Sequence, residues 1–200
     1  MKKLMMACVL VAAPLAAQDF EAGVFLGQQS LDSVTIAGSK TEPKAKFVAG
    51  ARVGYSLLDL GPALLQVTAG YQPKVKFETE LNGVKVAARE YEHQHYSVGA
   101  MFNFKAFVAV GAGVGYRFEK LEASGAGAPS GLDTTYNRPW ARANIGVAFP
   151  TPLVKPFVGL EVALPLLTKS VDGSTSASVS DRLKSIAPKF QVGLYAGIRF

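Results

Sequence analysis

His93, His95 and Ser97 recur at intervals of two residues and form the one cluster in this 200-residue chain whose side chains could do chemistry. In extended chain that spacing puts all three on the same face. A serine beside an imidazole is the start of a nucleophile–base pair, which also needs a third group to orient the base. Residues 98–117 contain no Asp or Glu, and Glu90 and Glu92 alternate onto the opposite face. The cluster is therefore one carboxylate short, and polar lining of an interior explains it better than catalysis. Imidazoles at i and i+2 would also suit a metal ion, yet no further ligands converge on them. Gly111-Ala112-Gly113-Val114-Gly115 looks like a phosphate loop only superficially, because neither Gly-Lys-Ser/Thr nor a helix follows. No catalytic residue, cofactor or metal ligand is assigned.

The elements that hold these residues are strands. The end of the chain shows this most clearly: Phe190, Val192, Leu194, Ala196, Ile198 and Phe200 are apolar and alternate with Lys189, Gln191, Gly193, Tyr195, Gly197 and Arg199. Period-two alternation marks a strand whose faces meet different surroundings. Seven more segments follow it, starting at about Phe20, Phe47, Leu65, Tyr96, Val108, Pro139 and Val158. Each is close to the ~9–11 residues a membrane-spanning strand needs. Their connections are alternately short (residues 58–62, 105–106 and 150–155) and long (31–46, 72–95, 119–138 and 167–188). The sequence predicts an all-β fold, a closed antiparallel up-and-down transmembrane barrel of eight strands.

Residues 1–17 are expected to be a signal peptide and 18–200 the barrel domain. Lys2 and Lys3 precede an apolar run over residues 4–15, and Ala16-Ala17 offers small residues for cleavage. Cleavage would remove Cys8, the chain's only cysteine, and leave 19 basic residues against 15 acidic ones, a charge of +4. That charge is weak and dispersed, so nucleic acid is not an expected partner.

One connection predicts its own register. Asn82-Gly83 is a type I′ hairpin signal, because both central residues must take positive φ. A two-residue turn there pairs Leu81 with Val84, Phe77 with Ala88, Ala69 with Tyr96, Val67 with Val98 and Leu65 with Ala100. On the other face it pairs Thr68 with Ser97, Gly70 with His95 and Gln72 with His93. Residues 73–95 should form a paired hairpin projecting beyond the membrane.

The two faces differ in kind. One is continuously apolar, with aromatics near strand ends: Phe20, Tyr55, Phe102, Phe104, Phe149 and Phe200 at one level, Phe47, Tyr71, Tyr96, Tyr116 and Phe190 at the other. The second face is rich in glycine and broken only by Glu21, Arg52, Arg117, Arg142, Glu161, Lys189 and Arg199. That is too little charge for a water-facing wall, which usually carries about 25–35% charged residues. It suits a narrow lumen, where a buried charge has to be paired. The expected pairs are Arg142 with Glu161 and Glu21 with Arg199, with Arg52 and Arg117 joining the network. A lumen filled in this way is expected to be a plug.

The closing Tyr195-Ala196-Gly197-Ile198-Arg199-Phe200 resembles the terminal strand of bacterial outer-membrane proteins, which ends in an aromatic residue read by the barrel assembly machinery. With the signal segment and eight-segment layout, the chain resembles the OmpA/OmpX-type and opacity-protein-like small barrels over residues 19–200. The resemblance implies the bacterial outer membrane as location and Phe200 as an assembly signal. It also implies lipids and lipopolysaccharide as surroundings, a monomeric state, and structural or surface-interaction work. A narrow pore or small-ligand channel is the alternative. His95-x-Ser97 also resembles the outer-membrane lipid A deacylases, but the acid that likeness requires is missing from residues 98–117. Residues 124–131 and 170–180 are read as small, polar loop tips.

Overall fold

The computed structural model describes residues 20–36, 39–124, 133–149, 151–168 and 178–200. The expected signal segment, Cys8 with it, and most of the two polar tips lie outside these residues. In chain order the elements are β1 (Phe20–Leu31), the short β2 (Val34–Ile36) and β3 (Ser39–Pro43), β4 (Lys46–Asp59), β5 (Ala63–Leu81), β6 (Val84–Lys105), β7 (Ala109–Ser124), β8 (Asp133–Ala148), β9 (Lys155–Pro165), the helix α1 (Val179–Ser185) and β10 (Pro188–Arg199). All pairings are antiparallel. The sheet runs β2-β3-β5-β4-β1-β10-β9-β8-β7-β6, and pairing of β5 with β6 closes eight of these strands into a barrel. β1 and β10 seal the chain ends together, from Glu21 opposite Arg199 upward, and Phe200 N–H donates to the Phe20 carbonyl at 2.9 Å.

The apolar face points outward. Val114, Tyr96, Leu194, Leu160 and Phe102 are each more than half exposed, and the wall around them is equally apolar. A continuous apolar surface of that extent is not tolerated in water. Hydrocarbon suits it, provided no sheet edge is left open, and closure meets that condition. Tyr71 and Tyr96 stack at 4.8 Å between ring centroids in the outer aromatic row, and Phe118 lies exposed beside them. Phe102, Phe104 and Phe149 are exposed at the other end.

Glycine sets how closely the inner walls approach. Gly27 faces Gly193 across β1 and β10, and a Cβ on either would collide with the opposite backbone and with the Phe25 ring. The pair leaves the room into which Phe25, itself opposite Tyr195, folds.

Asn82 and Gly83 have φ of 50° and 82°, as a type I′ turn requires, and Leu81 pairs with Val84. Below the turn the register departs from the expected one, by three residues at Phe77, which faces Tyr91, and by two in the membrane part, where Ala69 faces Val98, Val67 faces Ala100 and Leu65 faces Phe102. The lumenal pairs shift likewise, to Thr68–Gly99, Gly70–Ser97 and Gln72–His95. Two irregularities cause this. One, between Glu78 and Glu80, adds three residues on β6, and the other, between Gln72 and Val75, adds one on β5. The net offset is even, so no residue of the membrane part changes face.

The strands overrun the membrane on the outer side. β3 pairs with the top of β5, so the first long connection joins the sheet. The last long connection carries α1, where the Ser178 hydroxyl caps the helix by accepting from Asp181 N–H. The helix buries Leu183, with Ile186 just beyond its end, against Val34, Tyr91 and Ala123. A bulge at Ser30/Leu31 turns Lys189 outward, so it does not belong to the lumenal series; its ammonium lies 3.6 Å from Asp32.

Candidate functional site in the barrel lumen

The inward positions of the eight strands fill the lumen in levels. Nearest the chain ends, Glu21 accepts from Arg199 Nη2 at 2.5 Å, from the Tyr195 hydroxyl at 2.6 Å and from Gln66 Nε2 at 3.1 Å. One level up, Arg52 Nη1 donates to Glu161 Oε2 at 2.5 Å, and its guanidinium lies 3.7 Å from the Tyr195 ring centroid. Arg142 Nη2 donates to Thr68 Oγ1 at 2.6 Å. Above that, Arg117 stacks on Trp140 at 3.7 Å and donates to Gln191 Oε1 at 2.5 Å, while Gln191 donates to Gln72.

The structure thus places all six expected ionisable residues inside and joins Glu21 to Arg199. It does not join Arg142 to Glu161. In the β8–β9 register Arg142 stands opposite Ala163, and Glu161 opposite Asn144. Glu161 instead reaches Arg52 on β4. Partners across a lumen depend on how the closed strands are tilted and staggered, and not only on neighbours along the sheet.

Glu119 and Arg138 lie above these levels in segments read as loop, but they form a deeply buried ion pair, at 2.6 Å. Arg138 also donates to the carbonyls of Leu167 and Pro188. His93 joins them, its Nε2 3.4 Å from Glu119 Oε1 and its Nδ1 accepting from Gln29 at 2.9 Å. The signal was available: Glu119 continues the series Gly113, Gly115, Arg117, and Arg138 the series Arg142, Trp140.

A carboxylate therefore does meet the histidine pair, from just beyond the window 98–117, but it meets His93. His95 and Ser97 do not complete a nucleophile. Among the described residues no hydrogen bond joins the Ser97 hydroxyl to either imidazole, and His95 Nδ1 is buried without a partner. Both histidines are sealed in the lumen, out of reach of an acyl chain in the bilayer.

Below the network a cavity of about 480 Å³ lies at the end of the barrel bearing the short turns. Gln66, Thr68, Asn103, Asn144, Lys105 and Arg199 are among its lining residues. The lumen is consequently packed above and hollow below.

A closed antiparallel eight-stranded barrel with an apolar outer wall and its ionisable side chains turned into the interior is a membrane-spanning barrel of the outer-membrane kind. No family model matches the chain, and no curated protein matches it. Solved structures do. The outer membrane protein OprG from Pseudomonas aeruginosa superposes with a TM-score of 0.54 at 10% identity, over 92% of this chain and 94% of that one. Neisserial surface protein A gives 0.50 at 9% identity, over 92% and 98%. Ail, the attachment invasion locus protein of Yersinia pestis, solved with the heparin analogue sucrose octasulfate, shares 16% identity over 91% and 99%, with a TM-score of 0.45. OprG and the Neisserial protein show that the fold is that of small outer-membrane barrels.

Proposed function

We propose that the protein works as a closed outer-membrane scaffold that presents extended β-structure at the cell surface. The observation behind this is the sealed upper lumen. Trp140, Arg138, His93, Glu119 and Gln72 are all almost wholly buried, and at that level the interior is occupied by side chains. An eight-stranded barrel is just wide enough to be filled in this way. Beyond the outer aromatic row, Lys74, Lys76 and Lys120 stand at headgroup height and share Glu92 and Glu122 among them. That placement supports contact with lipopolysaccharide phosphates. Phe200, beside the β1–β10 seam, is the expected element for the barrel assembly machinery. The chain is read as a monomer without cofactor, and lipid-modifying catalysis is set aside because His95 and Ser97 face the lumen.

The lower cavity favours a second reading, a narrow path for small solutes that would open if the Arg138–Glu119–His93 level moved. Recording purified protein in planar bilayers separates the two. A closed scaffold gives no sustained conductance, and large, stable single-channel steps would overturn it.

A further inference from the structure

The lumenal charges do not balance. Glu21, Glu119 and Glu161 are buried, and each is committed to one arginine: Arg199, Arg138 and Arg52 respectively. Arg117 and Arg142 remain. Both are more than nine-tenths buried, and among the described residues neither has a carboxylate within 4 Å. Arg142 has a single neutral acceptor, Thr68, and its Nε–H is unpartnered; Arg117 has Gln191 and an unpartnered Nη1. Glu119 and Glu161 temper Arg117, and Glu161 tempers Arg142, but both carboxylates are already paired, to Arg138 and Arg52 respectively. A buried cation without a counter-charge costs several kcal/mol in general, and folded proteins avoid it by pairing or by binding an ion.

The position of Arg142 shows how a counter-ion would arrive. Its acceptor Thr68 lines the lower cavity, and so does Asn144, the next inward residue of β8. The cavity also carries Arg52, Lys105, Lys155 and Arg199 against Glu21 and Asp59, so its lining is cationic on balance. We infer that the lower cavity admits a small anion, of halide or formate size, which takes over from Thr68 as the acceptor of Arg142 and supplies the negative charge that Arg142 and Arg117 lack. The exchange replaces a neutral hydroxyl by an ion, which adds the attraction of opposite charges in a site shielded from water, where it is stronger than in bulk solvent. The site does not depend on whether the barrel conducts, so a conductance result leaves it standing.

Trp140, the chain's only tryptophan, reports on it directly, because it is sandwiched against Arg117 and lies two residues from Arg142 on the same inward face. The test is emission quenching of the refolded full-length barrel in zwitterionic detergent at constant ionic strength. Iodide is the probe, with caesium and acrylamide as cationic and neutral quenchers. The expected result is saturable iodide quenching in the millimolar range, with caesium and acrylamide nearly inert. Competition by chloride and formate together marks a general small-anion site, and by chloride alone a halide site; both uphold the inference. Arg142→Gln should weaken iodide at least tenfold while keeping heat-modifiable migration on gels. Linear iodide quenching no steeper than that of acrylamide in the wild-type protein overturns the inference whatever the variant does. So does saturable quenching that is unchanged in a folded Arg142→Gln protein.

Discussion

Replacing Glu161 by Met tests whether the lumen is held by its ion pairs. Glu161 and Arg52 meet at 2.5 Å, with less than a tenth of either side chain exposed. Removing one partner leaves a buried charge uncompensated, which costs about 3–5 kcal/mol. Arg52→Met should cost at least as much, since it also removes the guanidinium stacked at 3.7 Å on Tyr195, a desolvated cation–π contact worth ~2 kcal/mol. The double variant behaves differently. Exchanging a buried pair for apolar side chains of similar size is often neutral or stabilising by about 1–4 kcal/mol. Only the stacking loss then remains, and the double variant should sit within about 2 kcal/mol of wild type. The coupling energy should therefore be about 4 kcal/mol or more, above the ~0.5–3 kcal/mol usual between contacting residues. Urea titration in lipid vesicles, followed by Trp140 emission and heat-modifiable migration, measures all four corners of the cycle. Additive single effects, with coupling below about 0.5 kcal/mol, would refute the pairing.

Three further outcomes follow from the same structure. Val114→Arg, at mid-height on the lipid face and more than half exposed, should lower folding free energy in vesicles by about 2–4 kcal/mol; Phe118→Arg in the outer aromatic row should cost only about 0–1 kcal/mol, and equal effects would deny a bilayer at that height. Gly83→Ala forces a Cβ into left-handed backbone at φ 82° and should cost ~1 kcal/mol, read as faster amide exchange near the turn with that of the membrane strands unchanged. Glu122, beyond the membrane, is held down to about 2 by hydrogen bonds from Lys120 and Lys74. Its lowered folded value means that its contribution is complete above the ordinary carboxylate range near ~4.3 and is lost as pH falls toward 2. The effect is small because exposed pairs are screened, so the check is the Glu122 carboxyl NMR titration, whose midpoint should rise in Lys74→Ala.

How much was legible in the sequence can be argued residue by residue. Parity was fully legible: an apolar residue at Val192 and a glycine at Gly193 already say which face is which, and eight such segments imply a closed ring. The Asn82-Gly83 turn was legible because only a few residue types accept its backbone. The irregularities below it were not, since a bulge leaves alternation intact on either side and shifts only the partner. Arg52 meeting Glu161 lay beyond reach for a related reason: the strands that carry them, β4 and β9, are separated by β1 and β10. Their contact across the lumen is set by stagger, a property of the closed ring. Glu119 and Arg138 were lost to the assumption that strands stop where the lipid stops. Burial of a charge, unlike burial of a leucine, leaves no mark in hydropathy.

The overrun of β5 and β6 has a mechanical meaning. Between Tyr96 and Val84, with the extra residues of the two irregularities set aside, the ribbon rises through about nine rungs, about 30 Å along the strand at ~3.3 Å each, or roughly 23 Å of height at a tilt of ~40°. Paired on one side by β7 to Ser124 and propped on the other by β3, it stands as a braced mast rather than a tether. Whatever approaches the barrel from that end would meet the crown of the mast before the membrane surface at its foot.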